Sequence, residues 1–174
     1  MRLDAHGIAT ELPPGWEGTI GRRPDPAVDP ASAPSPTAAA AATTTGPPAT
    51  GADEQVLPTA HLASFALPPD LGDFGSGAVE LMTGTDAFVA LIEYGSEAVD
   101  TPLFAAPFPR RLAARAFRRA ALQRNLPGQV GTQVFCTEGG RALCVYVVLG
   151  RATDLAPLLV PVNATLAATE IAPR

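Results

Sequence analysis

The chain has 174 residues and a formal charge of −5, and all twelve basic residues are arginine. That balance argues against non-specific nucleic-acid binding, which needs a positive field. The longest apolar run, Ala142–Leu149, is far short of the roughly twenty residues a membrane helix requires, and two histidines are too few for a typical zinc site.

Gly7–Leu12 alternates Ile8, Thr10 and Leu12 with smaller or polar residues; Pro13-Pro14-Gly15 breaks it, and Trp16–Ile20 can return as a second strand. The expectation is an N-terminal hairpin within residues 1–23 that packs Trp16, the only tryptophan, on the core. Pro24 to Pro58 then runs 35 residues with eight prolines, no aromatic and an Ala/Thr string from Thr37 to Thr45. Such a stretch buries too little apolar surface to offset the entropy of ordering it, so residues 24–58 read as a disordered tether. Twenty-three residues cannot form a core alone, so the hairpin is expected to dock on residues 59–174 and complete a single fold.

After the tether, His61–Leu67 reads as a strand ended by Pro68-Pro69, and Asp70–Gly77 as a glycine-rich loop. The β-branched and aromatic content of Asp86–Tyr94 predicts another strand. Arg111–Arg124 reads as a helix: Leu112, Ala113, Ala116, Phe117 and Ala120 make an apolar stripe, opposite Arg111, Arg115, Arg118 and Arg119. Leu126-Pro127-Gly128 stops it.

Thr132–Thr137 and Ala142–Leu149 are apolar and β-branched, and Gly139-Gly140 between them supplies the positive backbone angles of a tight hairpin. Cys144–Leu149 is apolar on both faces, which predicts a strand covered on both sides. Asp154 is placed to cap a helix running to about Ala168, with a kink or restart at Pro161. Glu170-Ile171 adds a last short strand. These elements make an α+β domain, a mostly antiparallel sheet with two helices, and contain no βαβ repeat.

Charge is segregated along the chain. Asp70–Asp100 holds seven acids and no base, whereas Thr101–Thr137 holds six arginines and no acid. The two blocks either pair with each other or leave an arginine-faced surface for an acidic protein partner. Arg111, Arg115, Arg118 and Arg119, with the Trp16 region, are the candidate partner-binding residues, since the guanidinium fork suits carboxylates.

Catalytic signals are sparse. Cys136 and Cys144 read as core packers. A three-residue turn would set them directly opposite one another, whereas a two-residue Gly139-Gly140 turn pairs Cys136 with Leu143 and sends Cys144 to the other face. A cytoplasmic setting favours free thiols over a pairing. Neither His6 nor His61 is spaced to activate a thiol. Gly72–Gly77 carries the letters of a kinase magnesium motif without the lysine or catalytic loop, and Asp70 and Asp73 would repel a phosphate there. Glu80 and Glu93 could converge as an acid–base pair, but nothing in their spacing sets them at a working separation. No catalytic, cofactor or metal residue is assigned, and no cofactor is expected.

The opening Gly-Ile-x-x-x-Leu-Pro-x-Gly-Trp, the later strong hairpin, the helix containing Val162-Asn163-Ala164-Thr165-Leu166 and the terminal strand resemble, in their order, the PsbP-like family of α/β/α sandwiches. That fold is shared by a photosystem subunit, a Ran-binding import factor and DcrB-type bacterial proteins. Leu12-Pro13-Pro14-Gly15-Trp16-Glu17-Gly18, Asp73–Ala78 and Leu126–Gly131 are also similar to an uncharacterised bacterial family from high-GC Gram-positives. The resemblance implies a non-enzymatic protein-binding adaptor, or an assembly- or secretion-associated module, with no catalytic residues to carry over. The alternative is a small-ligand-binding or enzymatic domain with a pocket near Gly72–Gly77. No apolar stretch follows Arg2, and Pro24-Asp25-Pro26 follows Arg22-Arg23, so the expected location is cytoplasmic.

Overall fold

The computed structural model describes residues 1–24 and 56–174. Strands β1 (Arg2–Ala5) and β2 (Ile8–Glu11) form the first hairpin. Its turn is His6-Gly7, with φ of 54° and 76°, and two positive φ angles suit the twist of a two-residue hairpin. This corrects the pairing expected from the sequence, in which Gly7–Leu12 met Trp16–Ile20. Pro13-Pro14-Gly15 is a crossover between sheets instead. Consecutive prolines offer no N–H to a ladder, and the chain leaves β2 to start β3 (Glu17–Pro24), which pairs with β4 (Val56–Ala63).

The tether expected over 24–58 lies outside the described residues except at its ends, where Pro24 and Val56–Pro58 are strand residues. The β4 ladder with its other neighbour begins at Thr59, so the missing N–H of Pro58 removes no bond from it.

Strands β5 (Ala87–Glu93), β6 (Val130–Glu138) and β7 (Arg141–Leu149) complete an antiparallel five-stranded sheet ordered β3-β4-β5-β7-β6. A last strand, β8 (Glu170–Ile171), joins β2 to make a three-stranded sheet, β1-β2-β8. Gly139 and Gly140, at φ 58° and 71°, form the two-residue turn between β6 and β7. Every position of β5 and β7 is buried, as an unbroken apolar run covered on both sides demands.

One α-helix is present among the described residues, α1 (Ala156–Ala167). Leu158, Val162 and Leu166 of α1 pack with Ile8, Leu12 and Trp16 onto Leu62, Leu91 and Val147 of the large sheet. The helix continues through Pro161 without the restart that was one of the two expectations there, because this packed face holds it where propensity would not. Asp154 does not cap it: its φ is 50° and its carboxylate lies 3.4 Å from Arg151. The second helix, expected over 111–124, is absent. Those residues form two short 3-10 turns, Ala114–Ala116 and Arg119–Ala121, joined by extended backbone. The fold is therefore α+β with antiparallel sheets. The second face of the large sheet, including Phe88, Ile92, Tyr146 and Val148, is covered by coil carrying Phe74, Val79, Leu122 and Leu126. No helix among the described residues is long and apolar enough to cross a membrane.

A buried ion pair joins the two sheets. Glu93, at the end of β5, is fully buried, and Arg141 at the start of β7 is 4% exposed. The Arg141 Nε donates to the Glu93 carboxylate at 3.1 Å, and Nη2 donates to the same carboxylate. Nη1 and Nη2 also donate to the carbonyls of Gly7 and His6, at 2.7 and 3.0 Å. Arg174 reaches the other Glu93 oxygen at 2.8 Å. Removing one partner of such a pair strands a buried charge. Arg141→Met is accordingly expected to lose about 3–5 kcal/mol in urea denaturation; a loss below about 1 kcal/mol would show that the pair does not hold the sheets.

Candidate functional site

The arginine-rich segment is shaped by its apolar anchors. Leu112 and Phe117 are buried and Leu122 is half-buried, and this five-residue spacing does not fit one face of a helix. The Leu112 backbone is gripped by one side chain of α1: its N–H donates to Asn163 Oδ1 at 2.8 Å, and Asn163 Nδ2 donates to its carbonyl at 3.1 Å. Six residues on, Arg118 is extended (φ −151°, ψ 155°) and exchanges two backbone hydrogen bonds with Gly131 of β6. The segment is thus pinned to the helix at one end and to the sheet edge at the other.

Between and beside these pins, Arg111, Arg115, Arg118 and Arg119 are exposed. None of them pairs with a carboxylate among the described residues. The other two arginines of the basic block are engaged. Arg110 bonds Glu138 at 2.7 Å, donates to the Thr169 carbonyl and lies over the Phe108 ring. Arg124 pairs with Glu80, the one ion pair among the described residues that links the acidic block to the basic one. Glu80 accepts a 2.7 Å bond from the Gly77 N–H. Burial opposes ionisation of Glu80, but the backbone bonds and Arg124 outweigh it and hold the carboxyl below its ordinary value of 4.5.

Two hollows flank the segment. One, about 660 Å³, lies between Ala113 and Ala114 and the outer side of α1, where Val160 is 71% exposed. The other, about 350 Å³, lies against β6 and is lined by Ala116, Arg118, Ala120, Gln133 and Phe135.

The remaining sequence candidates separate. Trp16 is 7% exposed and belongs to the core, so its indole is not part of an exposed surface. Glu80 and Glu93 are each held by their own arginines, Glu80 by Arg124 and Glu93 by Arg141 and Arg174. His61 stacks on Phe88, with Nε2 2.9 Å from the Asp73 carbonyl, while His6 accepts a bond from Arg22 at 3.1 Å. No group of three or more His, Cys, Asp or Glu that could hold a metal occurs among the described residues. The Gly72–Gly77 loop borders a third hollow of about 270 Å³, lined by Asp73, Phe74, Ser76, Val79, Arg124 and Tyr146. The Tyr146 hydroxyl accepts the Gln123 N–H at 3.1 Å, and burial raises its pKa.

Sequence reasoning did not find Asn163 or Arg141 as structural pivots. Arg141 carried one legible signal, a lone charge opening an otherwise apolar strand. The Asn163 grip on Leu112 spans 51 residues and has no local signature.

No family model, no curated protein and no solved structure matches this chain.

The two thiols fall on opposite faces of the sheet: Cys136 opposes Leu143 and Cys144 opposes Phe135. Both are free and buried, and burial pushes each pKa from 9.0 to about 12. Neither is a thiolate near neutral pH. The folded protein should therefore be inert to an aromatic disulfide reagent, releasing both thiols only in urea; a fast reaction of either in the native state would contradict this placement.

Proposed function

We propose that this protein is a non-enzymatic adaptor that holds an acidic protein partner on the arginine segment 111–119. The single observation that supports this most directly is the set of four exposed arginines without a described carboxylate on a segment pinned at both ends. An arginine held on a rigid frame loses less entropy on binding, and its planar fork grips a carboxylate through two parallel bonds. Six arginines and no acid between Thr101 and Thr137 make this segment a local field opposite in sign to the whole chain, which draws an anionic partner to it. The resemblance of the opening motif to the PsbP-like family, whose members act mostly by docking to other proteins, points the same way. A cytoplasmic setting agrees with two unpaired thiols.

The triple substitution Arg115→Ala, Arg118→Ala, Arg119→Ala should leave circular dichroism and melting temperature unchanged, since none of these side chains is buried. It should weaken capture of the acidic partner at least tenfold per arginine engaged, the value of one charged hydrogen bond being about 1.5–3 kcal/mol. Added salt should weaken wild-type capture in the same direction. Capture that survives both changes removes this surface.

A second reading is supported by the hollow beside Gly72–Gly77, whose size admits only a small molecule. A genuine ligand there, present at about 100 times its dissociation constant, should stabilise the fold by about 2.7 kcal/mol, and Ser76→Trp, filling the hollow, should abolish that shift. A screen in which no compound raises the melting temperature, or one in which Ser76→Trp changes nothing, rejects it.

A further inference from the structure

The edge strand β6 is closed at both ends and open between them. At one end Gly131 gives both its N–H and its carbonyl to Arg118. At the other the Thr137 N–H donates to the Ala106 carbonyl. These bonds point away from β7, and backbone direction alternates along a strand. Gln133 and Phe135, which share the parity of Gly131 and Thr137, therefore turn their N–H and carbonyl groups outward as well. The register agrees: Glu138↔Arg141 flanks the two-residue turn, so Val134↔Val145 and Cys136↔Leu143 are the bonded pairs and Gln133 and Phe135 are not. Gln133 makes no outward backbone bond among the described residues and neither does the Phe135 N–H; the Phe135 carbonyl is faced by the Ala106 N–H in the parallel bridge to Cys136. Both line the 350 Å³ hollow with Arg118 and three alanines.

We infer that this gap binds an extended acidic peptide of the partner, which adds a short strand to β6 through Gln133 and Phe135 while its carboxylates meet Arg118 and its exposed neighbours Arg115 and Arg119. The inference rests on the arginine-surface reading above and names the form the partner takes there. The opening left between these two pairings, Thr132 to Phe135, spans about 10 Å, which accommodates about three residues in register, with the rest of a peptide running past it. Backbone pairing supplies affinity and the flanking side chains supply preference, the usual division of labour in strand addition. The hollow's lining contains no acid, so an acidic chain meets only opposite charge. A second copy of this protein does not fit. The segments that pair at Gly131 and Thr137 lie in the plane of the sheet, where another β6 with its own two flanking segments would have to run.

The test uses the full chain and a blocked peptide of about five residues alternating glutamate and valine, with two variants, each N-methylated on one alternate set of amides. Isotope-edited NMR should show the Gln133 and Phe135 amides shifting and gaining protection from exchange. N-methylation of one set should weaken binding about tenfold, and of the other set less than about twofold, because only one set faces the strand. Gln133→Pro deletes an outward N–H without touching the β6–β7 ladder and should weaken binding about threefold to tenfold. Binding lost in the triple arginine variant, yet with both amides silent and both methylated peptides equal to the parent, leaves the arginine surface standing and overturns strand addition. Retention of poly-glutamate without any binding of the peptide does the same. Failure of both probes removes the two readings together. A concentration-dependent dimer that protects the same amides would make a second copy the occupant and also overturn the inference.

Discussion

The buried pair of Glu93 and Arg141 is the constraint on which the rest of the molecule turns. Burying two charges is expensive, and mutual attraction alone seldom compensates. Here the guanidinium spreads its donors over four bonds, two to Glu93 and one each to the carbonyls of His6 and Gly7. The carboxylate is held in turn by a second arginine, Arg174. Because the two carbonyls belong to the turn of the first hairpin, the same interaction that neutralises the β5 end also fixes where the small sheet sits. Gly7 is obligatory at this point: a Cβ there would lie 2.5 Å from Arg141 Nη1, and its φ is +76°. Ala172 and Arg174 add backbone bonds to Gly7 and Gly139, so two hairpin turns and the last residues meet around one ion pair.

With the sheets fixed, the coil that covers the second face needs only single polar side chains to hold it. Gln129 donates to the Val79 carbonyl at 2.7 Å, the Tyr146 hydroxyl accepts the Gln123 N–H, and Ser64 Oγ accepts the Ala87 N–H at 2.9 Å. On the helix side Asn163 does the same for Leu112. Each of these satisfies a backbone group, in the coil or where it meets a regular element, that would otherwise be left unpaired. Rigidity of the arginine segment is thus inherited from the sheet and helix, with no regular structure of its own. Pre-set geometry of this kind lets four flexible side chains act from fixed positions.

Where local chemistry determined the outcome, the sequence was readable. Two glycines between β-branched runs identified β6 and β7, and the apolar run after Arg141 marked a strand covered on both sides; which faces Cys136 and Cys144 take depended on a turn length that only the structure fixes. The helix expected over 111–124 failed because alanine counts toward any apolar stripe. Ala113, Ala116 and Ala120 completed a helical pattern, but Ala113 and Ala120 are exposed, and the residues that decide the packing are Leu112 and Phe117. Pinning by Asn163 and Gly131 then outweighed propensity, which is worth only tenths of a kcal/mol per residue. Pro13-Pro14-Gly15 misled for a related reason: turn residues mark a change of direction without saying whether the next strand returns to the same sheet. The separation of the arginines from the acidic block was visible in the sequence, but which of them find carboxylates depends on three-dimensional placement.

Loss of the helix changes what the arginines can do. On a helix of fourteen residues they would form a patch over a backbone bonded internally except at its two ends, offering little beyond charge. In the extended form, Arg118 is itself bonded into the sheet at Gly131, two residues from the open Gln133 backbone and near the open Phe135 N–H. An edge strand with open N–H and carbonyl groups is a hazard unless something limits access. Ala106 and Arg118 limit it here from both ends, leaving too short a stretch for another sheet to join. Charge and open backbone thereby lie side by side along one edge of the sheet.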